Sequence, residues 1–518
     1  MRTSGRLATV ATVAMLVVTA GSGVAAASAR PGLVRVSGNS PFAGCTIGGT
    51  PTSTLYPGAE VEPSVATSRF LPNEMVGAWQ QDRWSDGGAR GLVAAYSRNG
   101  GRTFATVPWP VSRCAPGGLS YDRASDPWVS IGPEGVVYGS ALVFDATTPR
   151  NGVVALTSYD GGRSWRHVTE LIVDTEAAFI DDKNSVTADP HRPGSAYQVW
   201  DRLQFTPDGT GFITGPTLLS HTRDFGRTWS APRTIVDTAP FQQTIGNTIV
   251  ADRRTGTLYN FYTSIQYTDA TASAVTFVRY EMVRSTDAGR TWSRPVVVAD
   301  DTSVADVDPN TGTLLRTGAG LPFPAIDPRT GELYLAYEGT DFTDGAYNQI
   351  QLVHSTDSGR SWSAPIRVNG VPTTPAFTPS IAVTEDGDVG VTYYDLRTLQ
   401  PGNITTLPTS TWLTVSPRGG QKFDEERRIA PVFDFLQAPD AGGLFLGDYQ
   451  GLATFDDRFR AMFVTTNNGQ PNNRTDVHYG QFPSIEADRT AAPSAQASTT
   501  AVPVRPAAPA RRVEPMRR

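Results

Sequence analysis

Three segments of the sequence place an aromatic residue, an aspartate and an arginine close together: Trp79-Gln-Gln-Asp82-Arg83-Trp84, Trp200-Asp201-Arg202 and Tyr394-Asp395-Leu-Arg397. An aspartate that holds an arginine rigid leaves the other guanidinium donors free for a ligand carboxylate. Aromatic rings beside them are suited to stacking on sugar faces. The candidate substrate-binding residues are Arg83, Arg202, Arg397, Asp82, Asp201, Asp395, Trp79, Trp84, Trp200 and Tyr394. The alternative is that these Asp–Arg pairs only tie neighbouring parts of the fold together.

Carboxylates at comparable positions supply a candidate catalytic set. Glycoside hydrolysis needs one carboxylic acid that gives a proton and a second carboxylate that assists attack on the sugar. The candidate catalytic residues are the carboxyl groups of Glu62, Asp126, Asp145 and Glu338, together with the hydroxyl group of Tyr449. Lys183, Asn184, Asn247 and Asp448 occupy equivalent positions but are given no role. We expect no metal and no cofactor, because the five histidines are scattered and form no zinc-binding pattern.

An internal repeat indicates the elements that position these residues. The octapeptide Ser/Thr-x-Asp-x-Gly-Arg-Ser/Thr-Trp starts at Ser158, Thr222, Ser285 and Ser355, and degenerate copies start at Ser97 and Ser416. An aspartate can accept backbone N–H bonds within its own loop, glycine permits a positive φ, and the tryptophan packs back on the sheet. We therefore interpret Asp160, Asp224, Asp287 and Asp357 as parts of a hairpin turn and not as catalytic residues.

Strand patterns around each copy predict an all-β protein, a β-propeller of four-stranded antiparallel blades. Seven blades are favoured over six, because a two-stranded pattern recurs near Val65, Val129, Val186, Ile249, Ala325, Ile381 and Leu452. The seventh unit lacks a fourth strand, which a strand around Leu33–Val36 could supply by ring closure. If the octapeptides join third and fourth strands, the candidate site residues lie on the opposite face, around a central funnel. A tandem array of β-sandwiches is the alternative fold.

The chain ends suggest export. Arg2 and Arg6 precede an apolar run and a small-residue stretch that ends Ala27-Ser28-Ala29, so residues 1–29 are predicted as a signal peptide. Residues 30–59 form an N-terminal segment, 60–485 the propeller and 486–518 a disordered Ala/Pro/Arg-rich tail. Cys45 and Cys114 are expected to form a disulfide in an oxidising compartment, with two free thiols as the alternative. The net charge of −6 and the absence of a later long apolar run argue against nucleic acid and membrane partners.

The octapeptides resemble the Asp-box repeat of sialidases and of related secreted bacterial proteins. The resemblance implies a secreted glycan-active protein, most simply an exo-acting glycoside hydrolase that acts on acidic sugars of an extracellular glycan or glycoconjugate as a monomer. The alternative is a non-catalytic propeller that binds glycans or proteins. The sequence departs from sialidases in one motif, since it has no early Arg-Ile-Pro and its nearest match is Ala29-Arg30-Pro31.

Overall fold

The computed structural model describes residues 32–423 and 425–484, with only the backbone described for residue 425. The signal peptide predicted at 1–29 and the tail predicted at 486–518 lie outside the described residues. Every described strand belongs to one compact unit that begins at Leu33. Among the described residues the helical structure is a single 3₁₀ turn, Phe435–Gln437, and no helix there is long and apolar enough to span a membrane.

The described strands form seven successive antiparallel groups of four main strands, which we call sheets I to VII. Sheet I contains Leu55–Thr67, Met75–Trp84, Ala89–Ser97 and Ala105–Pro108. Sheet II contains Arg123–Ile131, Val137–Phe144, Asn151–Ser158 and Arg166–Asp174. Sheet III contains Phe179–Ala188, Ala196–Phe205, Thr217–Thr222 and Arg233–Val236. Sheet IV contains Gln242–Ala251, Leu258–Tyr267, Val275–Ser285 and Val296–Asp300.

Sheet V contains Phe323–Ile326, Leu333–Gly339, Gln349–Ser355 and Ile366–Arg367. Sheet VI contains Ala376–Val383, Val389–Asp395, Pro408–Ser416 and Glu425–Arg428. Sheet VII contains Gly451–Phe455, Arg458–Thr466, Thr475–Pro483 and Val34–Arg35. The short strands Phe212–Thr214 and Phe433–Asp434 add to sheets III and VI, and the pair Ala89–Ala124 connects sheets I and II.

The first strands of the seven sheets contact one another in cyclic order. Each packs against the first strand of the next sheet, and Gly451–Phe455 of sheet VII also packs against Leu55–Thr67 of sheet I. Side chains from consecutive sheets form the core between them, for example Phe261 of sheet IV against Leu335 of sheet V. Because both faces of a sheet are covered, second strands such as Val137–Phe144 are buried along their whole length.

Sheet VII combines strands from both ends of the described chain. Val34 pairs with Tyr479 and Arg35 with His478, and the Arg35 guanidinium lies 2.7 Å from the carboxylate of Asp476. The edge of Thr475–Pro483 is therefore covered by the N-terminal strand, which limits edge-to-edge association.

The repeated octapeptides join the third and fourth strands of their sheets, as expected. In sheet III the Thr228 N–H and hydroxyl donate to the two Asp224 carboxylate oxygens at 2.9 and 2.7 Å, and Gly226 has a φ of 77°. Asp160, Asp287 and Asp357 accept the same two bonds in sheets II, IV and V. Trp229 packs against the apolar core beside its turn. The aspartates are thus engaged in holding the turn.

A small sheet that the sequence did not predict lies outside the seven groups, and we call it the cap. It consists of Asp306–Val307, Leu314–Arg316 and Leu444–Phe445. Leu315 pairs in parallel with Leu444, so the connection between sheets IV and V is joined to the connection between sheets VI and VII. The predicted disulfide between Cys45 and Cys114 is present and ties the N-terminal segment to the connection between sheets I and II.

Candidate active site

The first strands carry a repeated irregularity that places charged side chains at one level of the fold. Register shifts interrupt the pairing at the same point in sheets I, II, III, IV and VI. At these bulges Glu62, Asp126, Lys183 and Thr378 adopt φ values of 55°, 50°, 46° and 50°. Non-glycine residues at positive φ cost free energy and cluster at functional sites, and bulges re-aim side chains. The backbone therefore indicates a site at these strand positions.

A cavity of about 240 Å³ lies where the first strands meet. Each of the seven first strands contributes lining residues, among them Val65, Trp128, Ser185, Thr248, Phe323, Ile381 and Leu452. Asp126, Lys183 and Tyr449 also line it. The volume is below the roughly 300–1,000 Å³ of drug-sized sites, so the cavity suits a small molecule or one unit of a larger one.

Lys183, Asp448, Glu62 and Arg316 form a buried ionic cluster at the cavity. The Lys183 ammonium lies 2.5 Å from an Asp448 oxygen and 3.9 Å from Glu62. The Arg316 guanidinium donates to both Asp448 oxygens, at 3.0 and 2.8 Å. Burial opposes ionisation of Asp448, but the two cations outweigh it and hold the pKa of this carboxyl below its ordinary value. Asp448 is thus the anionic centre that holds both cations.

Glu62 and Asp126 are linked through neutral side chains. The Gln80 amide donates to Glu62 and, at 3.0 Å, to the Ser125 hydroxyl, which in turn donates to Asp126 Oδ1 at 2.7 Å. Burial and the neighbouring Asp126 raise the pKa of Glu62 from 4.5 to about 8, against the opposing effect of Lys183. Glu62 therefore keeps its proton to a higher pH than an exposed glutamate does, and it lies beside a second carboxyl group, an arrangement that suits a general acid.

Arg83 is the cation of this region with the fewest partners. Its Nη1 donates to Gln80 at 2.7 Å, its Nε has no hydrogen-bond partner, and its guanidinium lies 5.0 Å from the Phe445 ring centroid. Burial and the nearby Arg316 lower its pKa to about 10. Asp448 neutralises Lys183 and Arg316, so Arg83 is the guanidinium best placed to contact an added anion.

The cap covers this cluster. The Glu62 N–H donates to the Leu446 carbonyl at 3.2 Å, directly after the cap strand, and the Phe445 ring packs beneath Arg83 and Arg316. Glu62 is 1% exposed and Arg83 3% exposed. The open funnel expected from the sequence is therefore filled on this side, and a bulky ligand reaches Glu62 only if the cap moves.

Two of the three expected arginines lie elsewhere. Arg202 donates to Asp174 at 2.8 and 2.5 Å and stacks on Phe179 at 3.8 Å. Arg397 pairs with Asp395 and, at 2.7 Å, with Glu426. Asp174 belongs to sheet II, so the Arg202 pair ties sheet III to sheet II, whereas both partners of Arg397 belong to sheet VI. The expected ring of three arginines is therefore not formed.

The aspartates of the same segments also differ from the expected pattern. Asp82 does not pair with Arg83 but accepts from Arg90 at 3.3 Å and from the Gly58 N–H at 2.8 Å. Asp201 does not pair with Arg202. It is fully buried, neither of its oxygens has a hydrogen-bond partner, and burial together with Asp182 raises its pKa well above the ordinary value.

The four candidate stacking rings are packed in the core and do not line the cavity. Trp79, Trp200 and Tyr394 are at most 2% exposed. Trp200 donates to Asp181 at 2.9 Å, and the Tyr394 hydroxyl donates to the Val464 carbonyl at 2.9 Å. Trp84 packs under the Arg123 guanidinium, 5.1 Å away. The rings are buried because second strands lie between two neighbouring sheets.

Two further candidate acids stand apart from the cavity. Asp145 lies in the loop after Val137–Phe144 and accepts from the Thr148 hydroxyl at 2.9 Å. Glu338 accepts from the Thr378 N–H at 2.8 Å and faces Asp306 of the cap. Burial and that second carboxyl raise the pKa of Glu338 well above its ordinary value. The Glu338–Asp306 contact joins the cap to sheet V.

The fifth catalytic candidate, Tyr449, does line the cavity. Its ring lies 5.2 Å from that of Trp128, and burial together with Glu62 raises the pKa of its hydroxyl. Sequence reasoning named Lys183 and Asp448 without a role and missed Arg316. Lys183 and Asp448 could be found because they occupy equivalent positions near the starts of first strands in different repeats. Arg316 could not, because it belongs to the cap, which is not part of the repeat. Among the described residues, no group of three or more His, Cys, Asp or Glu side chains is arranged to hold a metal ion.

No protein-family model matches the sequence. A sialidase of Micromonospora viridifaciens is 29% identical over 188 residues, which are 31% of this chain and 28% of that protein. The chain therefore matches less than a third of that relative's length.

Solved structures with similar backbones include an alpha-L-arabinofuranosidase of Fusarium graminearum (12% identity, TM-score 0.45, 82% of this chain and 96% of that chain). The NanB sialidase of Streptococcus pneumoniae is also similar (13% identity, TM-score 0.44, 88% and 71%). A third is a protein of unknown function from Dyadobacter fermentans (13% identity, TM-score 0.44, 83% and 99%).

Proposed function

We propose that this protein is an extracellular glycoside hydrolase, that sheets I to VII are the seven blades of a β-propeller, and that the reaction takes place at the central cavity. The cyclic contacts of the first strands and their joint lining of one cavity support the seven-bladed arrangement. The disulfide is compatible with an oxidising, extracellular location. The sialidase of Micromonospora viridifaciens supports glycoside hydrolysis as the class of reaction.

The observation that carries the proposal is the linked pair of carboxyl groups Glu62 and Asp126, of which Asp126 lines the cavity and Glu62 lies behind it. The raised pKa of Glu62 favours its protonated form, and Asp126 lines the cavity with an oxygen that has no hydrogen-bond partner. Glycoside hydrolysis needs a proton donor and a second carboxyl group next to the sugar, so Glu62 can act as the donor only when the cap moves and opens the cavity toward it.

The proposed reaction uses this pair as acid and base. The Glu62 proton passes to the leaving-group oxygen as the bond between that oxygen and the anomeric carbon breaks. A water oxygen becomes bonded to the anomeric carbon, and the proton that the water releases is taken up by the carboxyl pair, which restores its starting state. Lys183 and Asp448 hold Glu62 in place. The Tyr449 hydroxyl, which donates to the Pro127 carbonyl at 3.4 Å, contributes to the wall of the cavity beside the substrate.

The substrate proposed from the sequence is an acidic sugar of an extracellular glycan. We propose that this recognition depends on Arg83, since Arg202 is held by Asp174 of sheet II and Arg397 by carboxylates of sheet VI. The Arg83 Nε lacks a partner but lies under the cap, so a substrate carboxylate reaches it only when the cap moves. The Arg83→Lys variant loses the planar fork of donors, so we expect it to weaken cleavage of acidic glycosides more than that of neutral ones.

A screen of sialosides, uronic-acid glycosides and neutral aryl glycosides tests the proposal. We expect the wild-type protein to release the leaving group from at least one class, and Glu62→Gln and Asp126→Asn to lower kcat by about 10²–10⁴-fold. Glu176→Gln, an exposed variant in sheet III's leading loop, is the matched control and should retain full activity. Wild-type rates in both site variants would refute these roles.

The burial of the cluster supports a second candidate, a non-catalytic glycan-binding propeller. Glu62 and Arg83 lie under the cap and are almost inaccessible. If the screen detects sugar binding without release of any leaving group, this second function replaces the first.

A further inference from the structure

Three buried oxygen atoms in the cavity wall have no hydrogen-bond partner: Asp126 Oδ2, Asn184 Oδ1 and Gln450 Oε1. All three residues line the cavity and are 4%, 3% and 5% exposed. Buried polar atoms in native proteins are almost always hydrogen-bonded. Three unpaired acceptors around one cavity therefore point to a partner that donates hydrogen bonds.

Neighbouring bonds fix the direction of each acceptor. The Asn184 amide nitrogen donates to the Asp126 carbonyl at 3.0 Å, and the Gln450 amide nitrogen donates to the Thr378 carbonyl at 2.6 Å. Reversing either amide would place its oxygen against that carbonyl. Asp126 Oδ1 already accepts from Ser125 at 2.7 Å, which leaves Oδ2 free. The wall consequently presents acceptors and cannot change to donors at these positions.

The rest of the wall is mainly apolar. Trp128 and Tyr449 form a tilted aromatic pair, and Leu321, Pro322 and Ile381 also line the cavity. A molecule that fills this space thus needs a polar edge with donor groups and a face of C–H groups. Sugar rings have both, since their hydroxyl groups lie at the edge and their C–H bonds pack on aromatic rings.

Charge separates the possible ligands further. The charged residues in the cavity lining are Asp126 and Lys183, one of each sign, and the Lys183 ammonium is already paired with Asp448 at 2.5 Å. An anion would face three acceptor oxygens, and a cation would lie close to the Lys183 ammonium. A neutral molecule avoids both costs.

We propose that the central cavity binds one neutral, hydroxyl-rich sugar unit, whose hydroxyl groups donate to Asp126, Asn184 and Gln450. This inference rests on the proposed function, to which it adds a second specificity: the substrate carries a neutral unit in the cavity beside the group that Arg83 contacts. The cavity volume of about 240 Å³ fits one such unit.

Direct binding tests this inference without requiring hydrolysis. The full-length wild-type protein is titrated by ligand-observed NMR and calorimetry with D-glucose, D-galactose, L-arabinose, D-glucuronate, D-glucosamine and Ca²⁺. We expect at least one neutral sugar to bind and to bind more tightly than glucuronate, glucosamine and Ca²⁺. Asp126→Asn, which presents a donor in place of Oδ2, and Gln450→Met, which removes one acceptor, should each weaken that sugar by at least 10-fold. Asp341→Asn, at an exposed position, should leave its affinity unchanged.

Two variants in different parts of the chain keep the test valid if one fails to fold, and thermal melting without sugar identifies such a variant. Failure of all neutral sugars to bind, a preference for glucosamine, glucuronate or Ca²⁺, or unchanged affinity in both folded variants would each overturn the inference. Sugar binding without any hydrolysis would retain it and reject only the proposed reaction.

Discussion

The buried carboxyl of Glu62 makes the stability of the fold depend on pH. Burial and Asp126 raise its pKa from 4.5 to about 8, so between these pH values the folded protein keeps a proton that the unfolded chain has released. The native state then binds more protons than the unfolded state, and the free energy of unfolding falls as pH rises. Each pH unit within this window is worth about 1.4 kcal/mol, which gives an upper bound of about 5 kcal/mol across it.

The Glu62→Gln variant removes this titration while keeping the shape of the side chain. Unfolding entropy is about 2.1 cal/mol/K per residue, or about 1 kcal/mol/K for the roughly 450 described residues. We therefore expect the melting temperature of the wild type to fall by about 3–5 °C more than that of the variant between pH 4.5 and pH 8. Buried Asp181 and Asp395, whose pKa values are also raised, are common to both proteins and cancel in the comparison.

Thermal melting followed by near-UV circular dichroism over this pH range measures the difference. The exposed variant Glu176→Gln is the control and should follow the wild type at every pH. Melting curves of Glu62→Gln and wild type that shift in parallel with pH would refute the assignment of a raised pKa to this residue.

Three further predictions concern stability. Asp224→Ala removes the bonds from Thr228, and we expect it to lower the free energy of unfolding in urea by about 1–2 kcal/mol without changing sugar binding. A loss no larger than that caused by replacing an exposed aspartate outside the turns would contradict this prediction. Arg397→Met leaves the buried Asp395 carboxylate unpaired and should cost about 3–5 kcal/mol, with an unaltered denaturation midpoint as the contrary result. Replacement of both Cys45 and Cys114 by serine opens a 69-residue separation and should cost about 4 kcal/mol, and reduction of the wild type should lower its melting temperature equally.

The repeat allowed the sheets to be located from the sequence because its signal is local. The turn of Asp224 and the ring of Trp229 lie within eight residues of each other, and their chemistry depends only on that turn. Equivalent positions in successive repeats lie side by side at the first strands. The structure accordingly places Glu62, Asp126 and Tyr449 close together, although they are far apart in the sequence.

The same reasoning was less successful for the second strands, because it did not take their burial into account. Trp79 and Trp200 follow the pattern of a ligand-facing segment, but neighbouring sheets cover both sides of these strands and bury the rings. Arg202 extends to Asp174 of the preceding sheet, a partner that no motif marks. Local spacing does not specify which of several nearby carboxylates a long side chain reaches.

The cap had no sequence signal at all. Its parallel pair Leu315–Leu444 joins two connections that belong to different repeats, and neither contains the octapeptide. Contacts between residues so far apart leave no periodic pattern. The covering of Glu62 and the position of Arg316 could therefore be found only in three dimensions.

The pairing of Val34–Arg35 with Thr475–Pro483 has a consequence for how the chain folds. Sheets I to VI can each form from one contiguous stretch as the chain is synthesised. In sheet VII the N-terminal strand Val34–Arg35 can pair only after Thr475–Pro483 has been synthesised. Until then two sheet edges remain open to other chains. A permuted chain that begins in the loop before Leu55 and carries Val34–Arg35 fused after Pro483 would assemble sheet VII from neighbouring segments. It should refold faster and aggregate less than the natural order.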